Sequence, residues 1–318
     1  MSNPTDGSVA ASPFHAGELA VQTRAGSRER MAQVGPRVIR NVLPQQHREF
    51  FALLPFIALG AADDTGQPWA TLLAGAAAGF VTSPDDTHLR VEALPPDGDP
   101  MRPLIRDGAP LALLGIELPT RRRNRANGRV VDAGKAGFGL RVMQSFGNCP
   151  KYIQRRELQH RAGPPPEAVR RTHRLDATAA ALIHAADTFF IATHAAGDAP
   201  SAGSDVSHRG GRPGFTRASD DGRTLTWPDY PGNTYFNTLG NLAVEPRTGL
   251  VFPDFANGDL LHVAGRAEII WDGPALAHFA GAERLVRLHI DQVLYRPEAL
   301  PLRWRLVEPS PELQRLGK

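Results

Sequence analysis

The chain holds one cysteine, Cys149, inside QSFGNCPKYIQRR (Gln144–Arg156). Asn148, Lys151 and Tyr152 stand beside it, so a thiol, an amide, an ammonium and a phenol share one short stretch. The thiol has four possible uses: nucleophile, metal ligand, redox switch or pocket wall. Lys151 would favour the thiolate, but no histidine is adjacent to serve as a base. A metal site would need further thiols, which the chain lacks, so no metal centre is expected. A free cysteine is by default a small, buried, apolar-like residue. Cys149 is therefore read as part of a pocket wall, in which Asn148 and Lys151 carry more chemistry than the sulfur. A second reactive stretch is SHRGGRPGF (Ser207–Phe215). Its glycines do not open a helix after a strand, so they do not form a dinucleotide fingerprint. TRRRNRANGR (Thr120–Arg129) is the single concentrated basic run. Placed in the loop of a predicted hairpin, it reads as a solvated or oligomer-contacting loop, with steering of an anionic substrate as the alternative. It lacks the interleaved aromatics of a single-stranded nucleic-acid groove. No Ser-His-Asp order, phosphate-binding Walker loop or HExxH helix is present.

The elements that must position these residues occur twice. PQQHREFFALLPFIALGAAD reads as a short helix followed by an apolar strand from Phe56 to Ala61, and LDATAAALIHAADTFFIAT reads as a helix followed by a strand from Phe189 to Thr193. Asp64–Gly75 is laid against His208–Ser219, His88–Pro100 against Thr224–Thr234, Pro110–Ala133 against Gly249–Asp272, and Gly137–Phe146 against Glu283–Val293. Helix, hairpin, strand, loop, hairpin and last strand then recur in one order, the mark of an internal duplication. Short strands with Gly/Pro turns and few helices predict a small closed or split β-barrel in each half, with a β-sandwich as the alternative. The C-terminal PLRWRL (Pro301–Leu306) reads as a strand returning to the core with Trp304 as its anchor.

Hydrophobic residues make up 42% of the chain, enough for a substantial core, and the net charge of +3 is too small to imply a nucleic-acid partner. A single cysteine excludes an intrachain disulfide framework and fits a reducing cytoplasm. The polar start, MSNPTDGSVAASP, has no signal-peptide pattern, and no apolar run approaches the length of a membrane span. The expected organisation is an N-terminal extension, partly disordered, over 1–40; a first barrel over 41–160; a linker over 161–174 containing a proline triplet; and a second barrel with a C-terminal strand over 175–318.

QHREFF, PWATLLAG, RRRNRANGRV, QSFGNCPKYIQ, SHRGGRPGF and NTYFNTLGNL…PRTGLVF together resemble the tandem flavin-nucleotide-binding proteins related to pyridoxamine 5′-phosphate oxidase. The resemblance spans Phe14 to Asp272, and FGNCPKYIQ and SHRGGRPGF are its most specific parts. It implies a mainly β chain with short helices: two tandem FMN-binding split barrels forming an intrachain pseudo-dimer. FMN would lie between the barrels, with F420 or haem as alternative cofactors. It further implies a small-molecule substrate, NADH or NADPH as electron donor, and a homodimer.

The two copies differ where a phosphate would sit. A dianion needs cations, N–H donors and close backbone approach. Gly211-Arg212-Pro213-Gly214 supplies these, whereas Gly66-Gln67-Pro68-Trp69, laid against it, has no charge and an indole. Asp97 and Asp99 of the first copy, read as solvated turn residues, stand where the second copy has Pro231 and Asn233. Trp69 is read as core. The second half is thus expected to hold one FMN through Ser207, His208, Arg209, Arg212, Gly214, Asn233, Asn237 and Asn241. The two last amides share a face if their segment is helical. In the pairing of barrels that the resemblance implies, the end of the first barrel's last strand would border that flavin and bring Asn148 and Lys151 to it. Two functions follow as alternatives: an FMN-dependent oxidoreductase, for which no catalytic residue is identified, or a non-catalytic protein that binds or senses flavin or haem, with His208 as the first axial candidate.

Overall fold

The computed structural model describes residues 12–163, 168–197, 199 and 201–316. Residues 1–11, where disorder is expected, and the proline triplet at 164–166 lie outside this range. Three helices come first: α1 (Ala16–Arg24), α2 (Arg28–Val38) and α3 (Gln45–Ala52). Seven strands follow: β1 (Phe56–Ala62), β2 (Pro68–Ala74), β3 (Val81–Thr82), β4 (His88–Val91), β5 (Pro110–Glu117), β6 (Arg122–Gly134) and β7 (Gly137–Asn148). β8 (Arg155–Arg161) and β9 (Arg170–Thr172) connect to α4 (Ala177–Ala185). The second series is β10 (Thr188–Ala195), β11 (Gly203–Gly210), β12 (Arg217–Ala218), β13 (Thr224–Asp229), α5 (Asn237–Val244), β14 (Arg247–Pro253), β15 (Leu260–Ile270) and β16 (Arg284–Arg296). β17 (Leu302–Glu308) and α6 (Glu312–Arg315) close the chain.

The duplication is plain in the strand order. The first sheet runs β2-β1-β5-β6-β7-β4-β3, and the second runs β11-β10-β14-β15-β16-β13-β12. Each member has its counterpart at the same place, and the named pairs are antiparallel. Neither sheet closes into a barrel: β2 and β3 are free edges of one, and β11 and β12 of the other. The mainly β, duplicated architecture expected from the sequence is present, but the barrel expected in each half, closed or split, is an open sheet.

What occupies the outer face of each sheet is the other half. β1 is buried along almost its whole length, as its unbroken apolar run demands of a strand covered on both faces. Ile57 and Leu59 point into the first core with Phe50, Phe51 and Leu54 around α3. Phe56 and Ala58, one residue out of phase, enter a shared core with Phe190 and Ala192 of β10. β10 divides in the same way, sending Phe189 and Ile191 into the second core. Trp304 plugs the shared core with ring centroids 5.2 Å from Phe56 and 5.4 Å from Phe255. Its strand β17 pairs with β8 as a separate ribbon, and β9, inside the expected linker, pairs with β16.

Strand register corrects one pairing of the repeat. Gly211 lies so close to Phe215 that a Cβ would strike its ring, and Gly75 meets Phe80 in the same way. Gly214 and Gly79 both have positive φ at the residue before that ring. The counterpart of Gly211-Arg212-Pro213-Gly214 is therefore the uncharged stretch from Gly75 to Gly79, and not Gly66–Trp69. Those residues belong to the β1–β2 turn and the start of β2, and Trp69 is buried in the first core. Matching Gly-x-Pro by residue type had shifted the alignment by most of a strand.

Candidate functional site

A cleft opens between the halves. One wall is β6 and the segment from Asn148 to Tyr152; the other is β11, the loop after β13 and the first turn of α5. The basic run supplies its floor. It is not a loop: β6 begins at Arg122, so successive side chains alternate in direction. Arg122 points outward to Glu117 at 2.8 Å. Arg123 and Arg125 point inward, which corrects the reading of the run as solvated.

Arg125 is 3% exposed. It donates through Nη2 to the Val206 carbonyl (2.9 Å) and Ser207 Oγ (2.6 Å), and through Nη1 to Asn237 Oδ1 (3.0 Å). Its Nε lies 3.2 Å from Asp205. A first-half arginine thus ties together two elements of the second half. Arg123 donates to the Cys149 carbonyl (2.8 Å) and to His208 Nδ1 (3.2 Å), with the thiol 3.6 Å from Nη2. Burial lowers its pKa to about 10, so it remains a cation at neutral pH. Among the described residues no carboxylate pairs with it, so it is an uncompensated charge on the cleft.

His208 is buried beside three arginines. Burial first, then Arg123, Arg209 and Arg156, hold its pKa well below the usual imidazole value, so the ring is neutral. Because Nδ1 accepts from Arg123, the proton sits on Nε2. Among the described residues that Nε2–H has no hydrogen-bond partner, and neither do Arg125 Nε, Asn148 Oδ1 and Thr238 Oγ1; all four atoms are buried and all four residues line the cleft. An unsatisfied buried polar atom costs about 1–3 kcal/mol, and these atoms have almost no accessible surface, so they lie behind the cleft surface.

The segment after β7 is held by the second half. Lys151 Nζ and the Tyr152 hydroxyl both donate to the Pro231 carbonyl, at 3.4 and 3.1 Å. Gln154 donates to the Gly211 carbonyl at 2.9 Å. Tyr152 has φ +65° and sets its ring 5.2 Å from that of Tyr230. Gly210 is obligatory here, because a Cβ would collide with the Tyr152 backbone carbonyl. Cys149 is half-buried on the wall.

Of the residues named from sequence, Asn148, Lys151, Ser207, His208, Arg209, Asn233 and Asn237 line the cleft. Ser207 is already engaged, accepting from Arg125 and donating to Asp205 at 3.1 Å. Arg209 lies 4.0 Å from Asp229, which Arg284 also approaches at 3.6 Å. Burial raises the Asp229 pKa against the pull of both arginines. Asn233 caps its own turn, with Oδ1 accepting from the Tyr235 N–H at 3.1 Å. Three residues lie elsewhere. Arg212 donates to the Leu313 carbonyl at 3.1 Å, Gly214 faces the His184 ring, and Asn241 donates to Thr193 at 3.0 Å. Asn237 and Asn241 do share one face of α5, but α1 covers it. Glu18 Oε1 accepts from Asn237 at 2.5 Å, and His15 Nε2 lies 2.7 Å from Asn241 Oδ1. Sequence reasoning missed Arg123, Arg125, Thr238 and Glu18. The first two had a signal in the i, i+2 spacing of RRRNR; the other two had none.

The place equivalent to this cleft in the first half is filled. The ladders align Thr71 with Ser207, Leu72 with His208, Leu260 with Arg123 and Arg296 with Asn148. Arg296 donates to Asp99 at 2.5 Å, and Thr71 donates to the same carboxylate at 2.6 Å, all three buried. Asp99 is thus a buried ion-pair partner and not a solvated turn residue, whereas Asp97 is exposed.

Among the described residues no helix is long and apolar enough to cross a membrane, and no cluster of His, Cys, Asp and Glu is arranged to hold a metal. Residues 175–304, less than half of the chain, match the family model described as pyridoxamine 5′-phosphate oxidase. No curated protein matches the chain. Among solved structures, a putative pyridoxamine 5′-phosphate oxidase from Lactobacillus delbrueckii is 21% identical over 38% of this chain and 94% of its own, with a TM-score of 0.29. The HupZ protein of Group A Streptococcus is 17% identical over 37% of this chain and 90% of its own, at 0.29. An FAD binding protein from Mycobacterium smegmatis is 16% identical over 40% of this chain and 99% of its own, at 0.27.

Proposed function

We propose that the cleft binds FMN and that the protein is an FMN-dependent oxidoreductase, passing hydride between a reduced nicotinamide or small substrate and the flavin. The observation that carries this reading is a cleft between the halves lined by Arg123, which no carboxylate pairs among the described residues, together with Arg209, Lys151, Asn148 and Asn233. The family-model match to the second half supports it. Bound FMN would supply hydride acceptance and donation at N5. The chain's own residues bind and orient. Arg123, Arg209 and Lys151 bring positive charge to the phosphate and to the negative charge that builds on a reduced flavin. Asn148, His208, Asn233 and Thr238 supply polar contacts, and Cys149 and Tyr152 shape the wall. NADH or NADPH is the proposed donor, and a cytoplasmic homodimer the proposed assembly. One FMN per chain is proposed because Leu72, Leu260 and the Arg296–Asp99 pair fill the equivalent place. Haem fits less well: ligation through His208 Nε2 requires its lone pair, and hence loss of the bond from Arg123 to Nδ1.

The test is the absorption spectrum of the purified protein during titration with FMN, then with NADPH and NADH. Flavin bands saturating near one equivalent per chain, bleached by a nicotinamide, are expected. Saturation near two equivalents overturns the single site. A spectrum unchanged by FMN overturns the flavin reading, and a flavin that no nicotinamide bleaches leaves a binding protein in place of the oxidoreductase.

A further inference from the structure

The face that α1 buries is mostly not apolar. Its buried residues are Gly17, Glu18, Val21 and Gln22, so one apolar side chain anchors a nine-residue helix. A helix held by the hydrophobic effect carries an apolar stripe instead. α2 adds Met31 and Gly35, and Phe14 and Met31 join a small cluster with Phe146 and Tyr235. What holds α1 is polar: His15 to Asn241, Glu18 to Asn237 and Gln22 to the Tyr235 carbonyl. Such bonds exchange for bonds to water at small net cost. This is the kind of attachment that opens locally while the sheets stay folded.

The attachments converge on one stretch of the cleft wall. Arg30 donates to Thr234 Oγ1 at 2.5 Å, Gln22 donates to the Tyr235 carbonyl at 3.1 Å, and Glu18 accepts from Asn237 at 2.5 Å. Thr234, Phe236 and Asn237 line the cleft. Thr234 and Phe236 both have φ +63°, which non-glycine residues keep only under restraint. Phe236 also opens α5 with no side-chain cap. The restraint therefore comes from α1 and α2.

The first half shows that a sheet of this topology stands without such a cover. Asp99 accepts from the Met101 N–H at 2.9 Å as Asn233 accepts from that of Tyr235 at 3.1 Å, so the two wall turns correspond. At the root of α1, Gln144 donates to the Pro13 carbonyl. Its ladder counterpart, Gln292, borders an open groove with Trp69 and Arg102.

We propose that α1 and α2 form a releasable strap on the cleft: seated, it fixes the wall from Thr234 to Asn237, and released, it frees that wall to admit or discharge a ligand. By linkage, a ligand that needs the seated wall tightens the strap by the same factor by which the strap tightens the ligand. Only this last coupling rests on the flavin reading.

The test is amide hydrogen exchange of the full chain, read by mass spectrometry. In the wild type, residues 14–38 and 233–241 should exchange together and well ahead of β14 to β16. Gln22→Ala removes one buried hydrogen bond and should speed exchange in both segments by about fivefold, with β14 to β16 unchanged. Arg30→Ala, at an exposed position, should speed exchange over 233–236, and it carries the test if Gln22→Ala does not fold. Saturating FMN should slow both segments in the wild type, although no residue of α1 or α2 lines the cleft. Acceleration confined to 14–38 in Gln22→Ala overturns the strap, as does a wild type in which 14–38 exchanges no faster than β14 to β16. FMN that binds without slowing 14–38 overturns the coupling. FMN that does not bind overturns the flavin reading, and the two variants still decide the strap.

Discussion

Arg123 and Arg125 stand two residues apart and serve different ends. Arg125 is compensated by Asp205 and donates to Val206, Ser207 and Asn237, so it joins the halves. Arg123 has carbonyl, thiol and imidazole contacts but no carboxylate, so its charge is available to a ligand. Behind them, Glu18 is a buried carboxyl 3% exposed, facing the His15 N–H (2.9 Å), Asn237, Arg125 and Asp205. Burial, above all, raises its pKa from 4.5 to about 8. The folded chain therefore keeps this proton up to about pH 8, while the unfolded chain releases it near 4.5. Its contribution to stability is complete below 4.5 and is lost as pH rises toward 8. Glu18→Gln should remove that slope. Histidines with lowered pKa, His15 and His208 among them, act in the opposite direction, so the quantity to read is the difference between variant and wild type. Urea denaturation should show the variant gaining on the wild type from pH 5 to pH 8, by on the order of 4 kcal/mol.

At the scale of elements, the site depends on close approach between backbones. α1 lies on α5 through Gly17 and Gly240, and a Cβ at Gly240 would sit 2.6 Å from Glu18 Cα and 2.7 Å from its N. α1 and α2 in turn brace the cleft-wall loop. Gln22 donates to the Tyr235 carbonyl at 3.1 Å and Arg30 to Thr234 Oγ1 at 2.5 Å, where Thr234 and Phe236 both have φ +63°. Non-glycine residues adopt that conformation only under restraint from their surroundings. Helix propensity alone predicts that Gly240→Ala stabilises α5 by about 1 kcal/mol. The packing predicts the opposite: a loss of about 1–3 kcal/mol by urea denaturation, with faster proteolysis within residues 13–38. A stabilised Gly240→Ala would mean that α1 does not seat on α5 as described.

For the whole molecule, the telling feature is a symmetric topology with asymmetric contents. Two sheets of one strand order pack on a shared core, yet the two equivalent places between them differ: Arg123, Asn148 and His208 line one, and Leu260, Arg296 and Leu72 stand at the matching positions of the other. In the other, Asp99 accepts from both Arg296 and Thr71. Asp99→Ala would strand the Arg296 guanidinium, and the expected cost is about 3–5 kcal/mol, read by denaturant unfolding. Flavin stoichiometry should stay near one per chain, because the variant removes an ion pair without creating a site. A second equivalent in Asp99→Ala would show that the pair alone closes that place.

Apolar runs and turn residues were enough to read the repeated order of elements, because a strand covered on both faces must be largely apolar, as Phe56–Ala61 and Phe189–Ala192 are. The pairing of barrels that the resemblance implies, and not the apolar pattern, placed Asn148 and Lys151 beside the second half, where they line the cleft. Arg212, Gly214 and Asn241 were assigned to the ligand by residue type, but which way a side chain points depends on strand register and on what packs over it. Register put Arg212 against Leu313, and α1, a helix from the far end of the chain, took Asn241. Arg123 and Arg125 were visible as charges but not as a floor. Whether they face water or a cleft is decided by a pleat that flips with a shift of one residue, and by the presence of a second sheet to receive them.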